Sequence, residues 1–135
     1  MDKLEIMNER SRGTMMEFLG IRFIAAGSNW LEATMTIDER SCTPAGIGHG
    51  GALMALAESV GSSLSYMNVD INTQDVRGLE ISGNHLKAAT GTITARATLL
   101  HCGRTTHVCE IRITNQEGQL VNISRMTNIV ITKKQ

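Results

Sequence analysis

Residues 43–68 read TPAGIGHGGALMALAESVGSSLSYMN, and the fold turns on how this stretch is understood. It holds the chain's only proline, Pro44, then a glycine-rich approach through Gly46 and Gly48, then His49-Gly50-Gly51. An unbroken run of helix-compatible residues follows, carrying one charge, Glu58. A helix that is apolar over most of its circumference is normally wrapped by other structure. Its glycine-rich start lets a ligand approach the backbone, and the free N–H groups of a first helical turn favour negative charge. Glu58 is thus a lone carboxylate in the middle of a nearly buried helix. In the bland reading it lies on a thin stripe facing solvent. Leu53, Leu56, Val60 and Leu64 are placed for core packing, while Met54, Glu58, Ser62 and Ser65 recur at steps of three and four and share a face. Gly50 and Glu58 are eight residues apart, about 12 Å of helical rise. A carbonyl polarised by the Gly50 N–H is therefore out of reach of Glu58 on the same helix. If both serve one reaction, they come from two antiparallel copies of the helix, and the protein is a dimer with composite sites.

Length and composition set the bounds. A chain of 135 residues suits one domain with one core, residues 1–135. Thirteen Lys plus Arg balance thirteen Asp plus Glu, so no basic excess points to nucleic acid or to an anionic membrane surface. Four aromatic residues make a base-stacking platform improbable. Cys42, Cys102 and Cys109 are odd in number and widely spaced, which fits reduced thiols in the cytoplasm. The opening MDKLEIMNERSRG lacks the apolar core of a signal peptide, and no run approaches the roughly twenty apolar residues of a membrane span. A soluble, cytoplasmic domain is expected.

Either side of the central stretch the pattern changes period. Residues 3–11 and 14–19 read as two short helical pieces, broken at Gly13 and ended by Gly20. Residues 21–27 and 29–37 read as strands; in the second, Leu31, Ala33, Met35 and Ile37 alternate with Trp30, Glu32, Thr34 and Thr36. Asp38 to Ile47 is an irregular approach to the helix. After the polar loop 69–75, residues 76–88 alternate loosely around Leu79, Ile81 and His85. Strands at 92–100, 105–114 and 119–132 follow, separated by turns at His101–Arg104 and Asn115–Gly118. In the last strand Val121, Ile123 and Arg125 alternate with Leu120, Asn122 and Ser124. The order predicts an α+β domain: an antiparallel sheet of about six strands curled round one long helix.

These residues also carry a likeness. GIGHGGALMALAESVGSSLSYM resembles the hotdog-fold acyl-CoA thioesterases, in particular the 4-hydroxybenzoyl-CoA and phenylacetate-pathway group. Within it the bacterial 1,4-dihydroxy-2-naphthoyl-CoA thioesterases of menaquinone synthesis and the proofreading thioesterases of aryl siderophore synthesis share the pattern. FLGIRF, LEATMTID, GLEISGNHLKAA and SRMTN extend the likeness over nearly the whole chain. The resemblance implies that Glu58 attacks the thioester or activates water, and that the Gly50 N–H polarises the carbonyl. His49 shapes that carbonyl site, and Ser62 positions water or the carboxylate. It implies sites built from opposite subunits of a homodimer, with dimers commonly pairing into tetramers. Relatives carry a glutamine shortly before HGG, contacting the acyl end; Thr43 stands there here and offers a hydroxyl instead of an amide. Coenzyme A would lie along Gly78, His85 and Lys87 and along the turn His101, Gly103, Arg104 and Thr105, the Gly103 amide and Arg104 suiting a phosphate. For Lys87 and Arg104 ordinary surface charge competes evenly with this, and for His101 and His107 a structural part outweighs a ligand part.

The expected activity is hydrolysis of an aromatic (1,4-dihydroxy-2-naphthoyl-like or hydroxybenzoyl-like) or medium-size acyl-CoA to free acid and CoA, by Glu58 acting as a carboxylate near neutral pH. Neither cofactor nor metal is called for, and four histidines without zinc-site spacing suggest none. Two other classes compete. A non-catalytic acyl-CoA sensor would not need an isolated carboxylate opposite the carbonyl site. A hotdog hydratase or dehydratase would place its His and Asp in another local pattern.

Overall fold

The computed structural model describes residues 1–134. Helix α1 (Lys3–Arg10) is started by a reciprocal cap: the Asp2 carboxylate accepts from the Glu5 N–H at 2.8 Å and Glu5 accepts from the Asp2 N–H at 3.1 Å. Helix α2 (Met15–Leu19) is capped by Thr14 and stopped by Gly20, whose φ of 76° is one that a side chain would oppose. Strands β1 (Arg22–Ala26) and β2 (Trp30–Thr36) come next, then helix α3 (Gly50–Tyr66). Strands β3 (Gln74–His85), β4 (Thr92–Cys102), β5 (Thr106–Thr114) and β6 (Leu120–Thr132) complete the order. All pairings are antiparallel in one six-stranded sheet ordered β1-β2-β4-β5-β6-β3. It curls round α3, the hotdog arrangement expected from the sequence.

The core is the contact of α3 with the concave sheet face. Leu53, Leu56, Ala57, Val60 and Leu64 meet Leu31, Ala33 and Met35 of β2, Ile93, Ala95 and Ala97 of β4, and Ile111 and Ile113 of β5, all essentially without exposure. Each fully buried Leu or Ile contributes about 1.5–3 kcal/mol from removal of apolar surface from water. Gly61 lets the sheet close on the helix, since a β-carbon there would stand 2.9 Å from Met126 Sδ and 3.1 Å from Cys109 Sγ. Cys109 is buried among these groups, and burial pushes its thiol up to about 11, whereas Cys102 is exposed.

Two boundaries differ from the periodicity. Strand β3 begins at Gln74, not at 76, because Asp70 folds residues 70–74 into a turn by accepting from the Asn72 N–H through its side chain and from the Thr73 and Gln74 N–H groups through its carbonyl. It ends at His85, and the chain turns inward to bury Ala89, whose carbonyl accepts from Gly48. Strand β6 departs more. Its helix-facing side chains are Asn122, Ser124, Met126 and Asn128, all buried, while Ile123 is only partly covered and Arg125 is exposed. That polar inner face bonds to α3, as Asn128 Nδ2 donates to the Gly61 carbonyl at 3.2 Å and to Ser65 Oγ at 2.8 Å.

Ser65 in turn lies 3.0 Å from His107 Nδ1, and His107 Nε2 lies 3.5 Å from Cys102 Sγ. Burial, with His101 adding a smaller push, holds the His107 imidazole below its ordinary value. The unfolded chain therefore takes up a proton near pH 6.5 that the folded protein resists. His107 thus contributes stability that is full above that pH and declines as pH falls. The urea midpoint is expected to drop between about pH 7 and 5, and His107→Gln to flatten that interval; a wild-type midpoint constant across it would contradict the assignment. At lower pH Asp75 adds to the loss, because the Tyr66 hydroxyl, the Arg77 guanidinium and the Val76 N–H hold its carboxyl well below the usual carboxylate range.

Candidate active site

The loop before α3 is held as a small hairpin that delivers its first turn. Cys42 pairs with Gly48, the Thr43 N–H donates to the Ile47 carbonyl at 2.7 Å, and the His49 N–H donates to the Ser41 carbonyl at 2.8 Å. The Thr43 hydroxyl accepts from the Ala45 N–H at 3.2 Å, which leaves its own proton to give. His49 is the N-cap of α3, and its Nδ1 accepts from the Gly51 N–H at 2.8 Å. The Ala52 and Leu53 N–H groups both go to the His49 carbonyl. Among the described residues the Gly50 N–H has no such partner. No acidic residue lies in this first turn, so the positive end of a helix of 17 residues stays uncompensated there. A carbonyl oxygen gaining negative charge would be stabilised at that point.

His85 stands over this amide. A β-carbon on Gly50 would meet His85 Nε2 at 2.8 Å, so only glycine allows the imidazole so close. The other ring nitrogen, Nδ1, lies 3.1 Å from Asn122 Nδ2, across the β3–β6 pairing that sets His85 opposite Asn122.

Two turns along α3, Glu58 is exposed on the helix face that the sheet leaves open. With Ser62, Met54 and Gly51 it lines a cleft of about 560 Å³, walled opposite by Met15, Met16 and Leu19. A β-carbon on Gly78 would stand 2.9 Å from Met126 Cε and 3.8 Å from both Glu58 Oε2 and Asn128 Oδ1, which places this stretch of β3 beside the carboxylate. Asn128 Oδ1 is the one buried side-chain oxygen or nitrogen among the described residues without a hydrogen-bond partner.

The sequence-predicted residues thus fall into two groups within a chain. His49, Gly50, His85 and the loop of Thr43 gather at the start of α3. Glu58, Ser62 and Gly78 gather about 12 Å farther along the helix. Gly78 lies in the first half of β3 and His85 at its end, roughly 20 Å apart along the strand. The turn after Cys102 belongs to the Gly78 end, since Cys102 pairs with His107, His107 with Asn128, and Asn128 with Gly78. Lys87, just past His85, and Arg104 are exposed and take no part in the ion pairs among the described residues. The Gly103 amide is not free for a phosphate as expected: it donates to the Thr106 carbonyl at 2.9 Å to close its turn, and the His101 ring covers Gly103. Thr105 is exposed beside it, with its carbonyl taken by the Val130 N–H. Ser65, placed by spacing on the Glu58 face, turns toward the sheet and is committed to Asn128 and His107. Asn122, Ser124 and Asn128 were not singled out from the sequence, although polar residues at steps of two and four in VNISRMTN mark one strand face as hydrogen-bonding. No group of three His, Cys, Asp or Glu side chains among the described residues is arranged to hold a metal, and no described helix is long and apolar enough to cross a membrane.

Known proteins share this architecture. Residues 45–122 match the family described as the thioesterase superfamily. The 1,4-dihydroxy-2-naphthoyl-CoA hydrolase of Escherichia coli is 40% identical over 129 residues, 95% of this chain and 94% of that one. The proofreading thioesterase EntH of Cronobacter sakazakii is 40% identical over 129 residues, 95% of this chain and 93% of that one. The crystal structure of a mutant of thioesterase PA1618 from Pseudomonas aeruginosa superposes with a TM-score of 0.94 at 41% identity, covering 96% of this chain and 94% of that one. The sheet wrapped on one helix, with these relatives, defines a hotdog-fold thioester hydrolase. Within that class, the chain belongs to the thioesterase superfamily.

Proposed function

We propose that the protein hydrolyses an acyl-CoA thioester, with an aromatic acyl group of hydroxybenzoyl or dihydroxynaphthoyl type preferred over straight chains of medium length, in composite sites of a homodimer. The observation that carries this is the pair on the open face of α3: an unpartnered Gly50 N–H at one end and the Glu58 carboxylate two turns on. One thioester cannot touch both in a single chain. A two-fold partner with its α3 antiparallel brings Glu58 of one protomer to Gly50 of the other. Strand β3 supports that partner, since its 12 residues pair on one side with β6 alone and present Leu79 exposed. An unpaired edge of that length is a template for a second copy.

In this reading the Gly50 amide polarises the thioester carbonyl while the partner protomer's Glu58 attacks the carbonyl carbon or takes a proton from attacking water. His49 keeps the turn in shape through its bond to Gly51. Ser62, one turn beyond Glu58, contacts the carboxylate or the water. Lys87 and Arg104 supply cationic ends for the CoA phosphates, and the Thr43 hydroxyl meets the acyl group. The aryl preference is supported by the activity for which the Escherichia coli relative is named. Pairing of dimers into tetramers is part of the same proposal, as is action in the cytoplasm without cofactor.

The test is a hydrolysis profile over naphthoyl-, benzoyl- and straight-chain acyl-CoAs, read as released CoA thiol against a protein blank for the exposed Cys102. Release with aryl substrates favoured is expected. Tight binding of every acyl-CoA without release would favour a sensing module instead.

A further inference from the structure

We propose that Asn122 is a positioning residue: it holds the His85 imidazole as its Nε2–H tautomer, so that this N–H joins the Gly50 N–H as a second donor to the thioester carbonyl. The proposal rests on Gly50 being the carbonyl site.

Asn122 has no exposed surface, so both ends of its amide require partners. Its Oδ1 accepts from Ser124 Oγ at 2.7 Å. Its Nδ2 lies 3.7 Å from the Met54 sulfur and 3.1 Å from His85 Nδ1. The thioether can accept but not donate, and the NH₂ group turned toward Met54 and His85 gives it a donor, although Ser124 Oγ also lies 3.6 Å from that sulfur; this orientation is the one proposed. An NH₂ group cannot accept, so His85 Nδ1 carries the lone pair and the ring proton sits on Nε2. Nε2 is the atom that stands 2.8 Å from the point of a Gly50 β-carbon. Nε2 thus lies against Gly50 itself, beside the N–H at the positive end of α3 where the proposal puts the carbonyl. His85 lends a hydrogen bond there and keeps its proton throughout; no atom is transferred.

The chain Ser124–Asn122–His85 is stiff where His85 alone is an exposed side chain on the last residue of an edge strand. Removing the final donor is expected to lower kcat by about 10²–10³-fold. Removing Asn122 costs the orientation of that donor, the equivalent of one hydrogen bond, or about tenfold in kcat with KM unchanged.

Nitrogen-15 NMR of the imidazoles at pH 8, with His85 assigned by its loss in His85→Gln, reads the tautomer directly in the wild type. Protonation at Nε2 is expected, with that N–H shifting when benzoyl-CoA saturates the Glu58→Gln protein. Kinetics of His85→Ala, Asn122→Leu and the double variant complete the test. The double variant should be no slower than His85→Ala, because Asn122 acts only through His85. A proton on Nδ1, multiplicative losses in the double variant, or an Asn122→Leu effect confined to KM would each overturn the proposal. Should Asn122→Leu not fold, the wild-type tautomer and the His85→Ala rate decide. Normal rates in both single variants alongside an inactive Gly50→Pro protein would remove the proposal alone, whereas an active Gly50→Pro protein would remove the carbonyl site itself.

Discussion

Glu58→Gln is expected to lower kcat by about 10²–10⁴-fold, the range for loss of a positioned acid, base or nucleophile, while KM changes by no more than a few-fold. The amide has nearly the shape of the carboxylate, so the cleft between α3 and α2 keeps its outline. It cannot attack a carbonyl, nor can it take a proton from water at neutral pH. Glu58 is exposed and, among the described residues, does not enter the ion pairs that Glu9, Asp38, Asp75 and Glu110 make, so its replacement leaves no buried partner unsatisfied. Urea and thermal midpoints should accordingly match the wild type. Thioester hydrolysis within a few-fold of the wild-type rate would remove Glu58 from the chemistry.

Gly50→Pro is the complementary change, with an expected loss of about 10²–10³-fold in kcat. Proline is well tolerated at the first position of a helix, where its fixed φ is already suitable and the missing N–H is not used by the helix. Among the described residues that N–H has no acceptor, so the substitution breaks no hydrogen bond there and deletes the donor proposed for the carbonyl. The ring does crowd His85, whose exposed side chain can swing aside. Gly50→Ala separates the two effects: it keeps the N–H but displaces His85, and should fall between wild type and proline. A proline variant as active as the wild type would contradict the role given to the Gly50 amide.

Much of the fold was legible because burial here follows simple periods. Leu53, Leu56, Val60 and Leu64 mark the covered side of α3 at helical spacing, and the alternations in 30–36 and 92–99 mark strands with one face inside. The separation of Gly50 from Glu58 was equally readable, since it depends only on the rise of a helix. What was not legible depends on cross-strand register. Bulges between Gly78 and Glu80 and between Leu99 and His101 shift which side chains oppose one another, and no local pattern announces them. His85 was put on the coenzyme path by resemblance alone; its cross-strand partner Asn122 and its place against Gly50 depend on register and could not be read. Ser65 went astray for a related reason: helical spacing put it at the edge of the open face, and the polar inner side of β6 drew it in. The Gly103 amide, read as available, was already needed to close a tight turn. Sequence patterns report apolar burial well, but they are poor at telling which polar groups will satisfy each other.

The central claim, one reaction centre made from two chains, is tested most directly by mixing defects. Glu58→Gln and Gly50→Pro chains, differently tagged and co-expressed, pair at random, so half of the dimers carry one of each. In each mixed dimer one site collects both defects and the other collects neither, so about a quarter of wild-type activity should return, and it should copurify with both tags. Mixed protein as inactive as either parent, with both tags confirmed in one particle, would mean that Glu58 and Gly50 do not meet across a subunit interface.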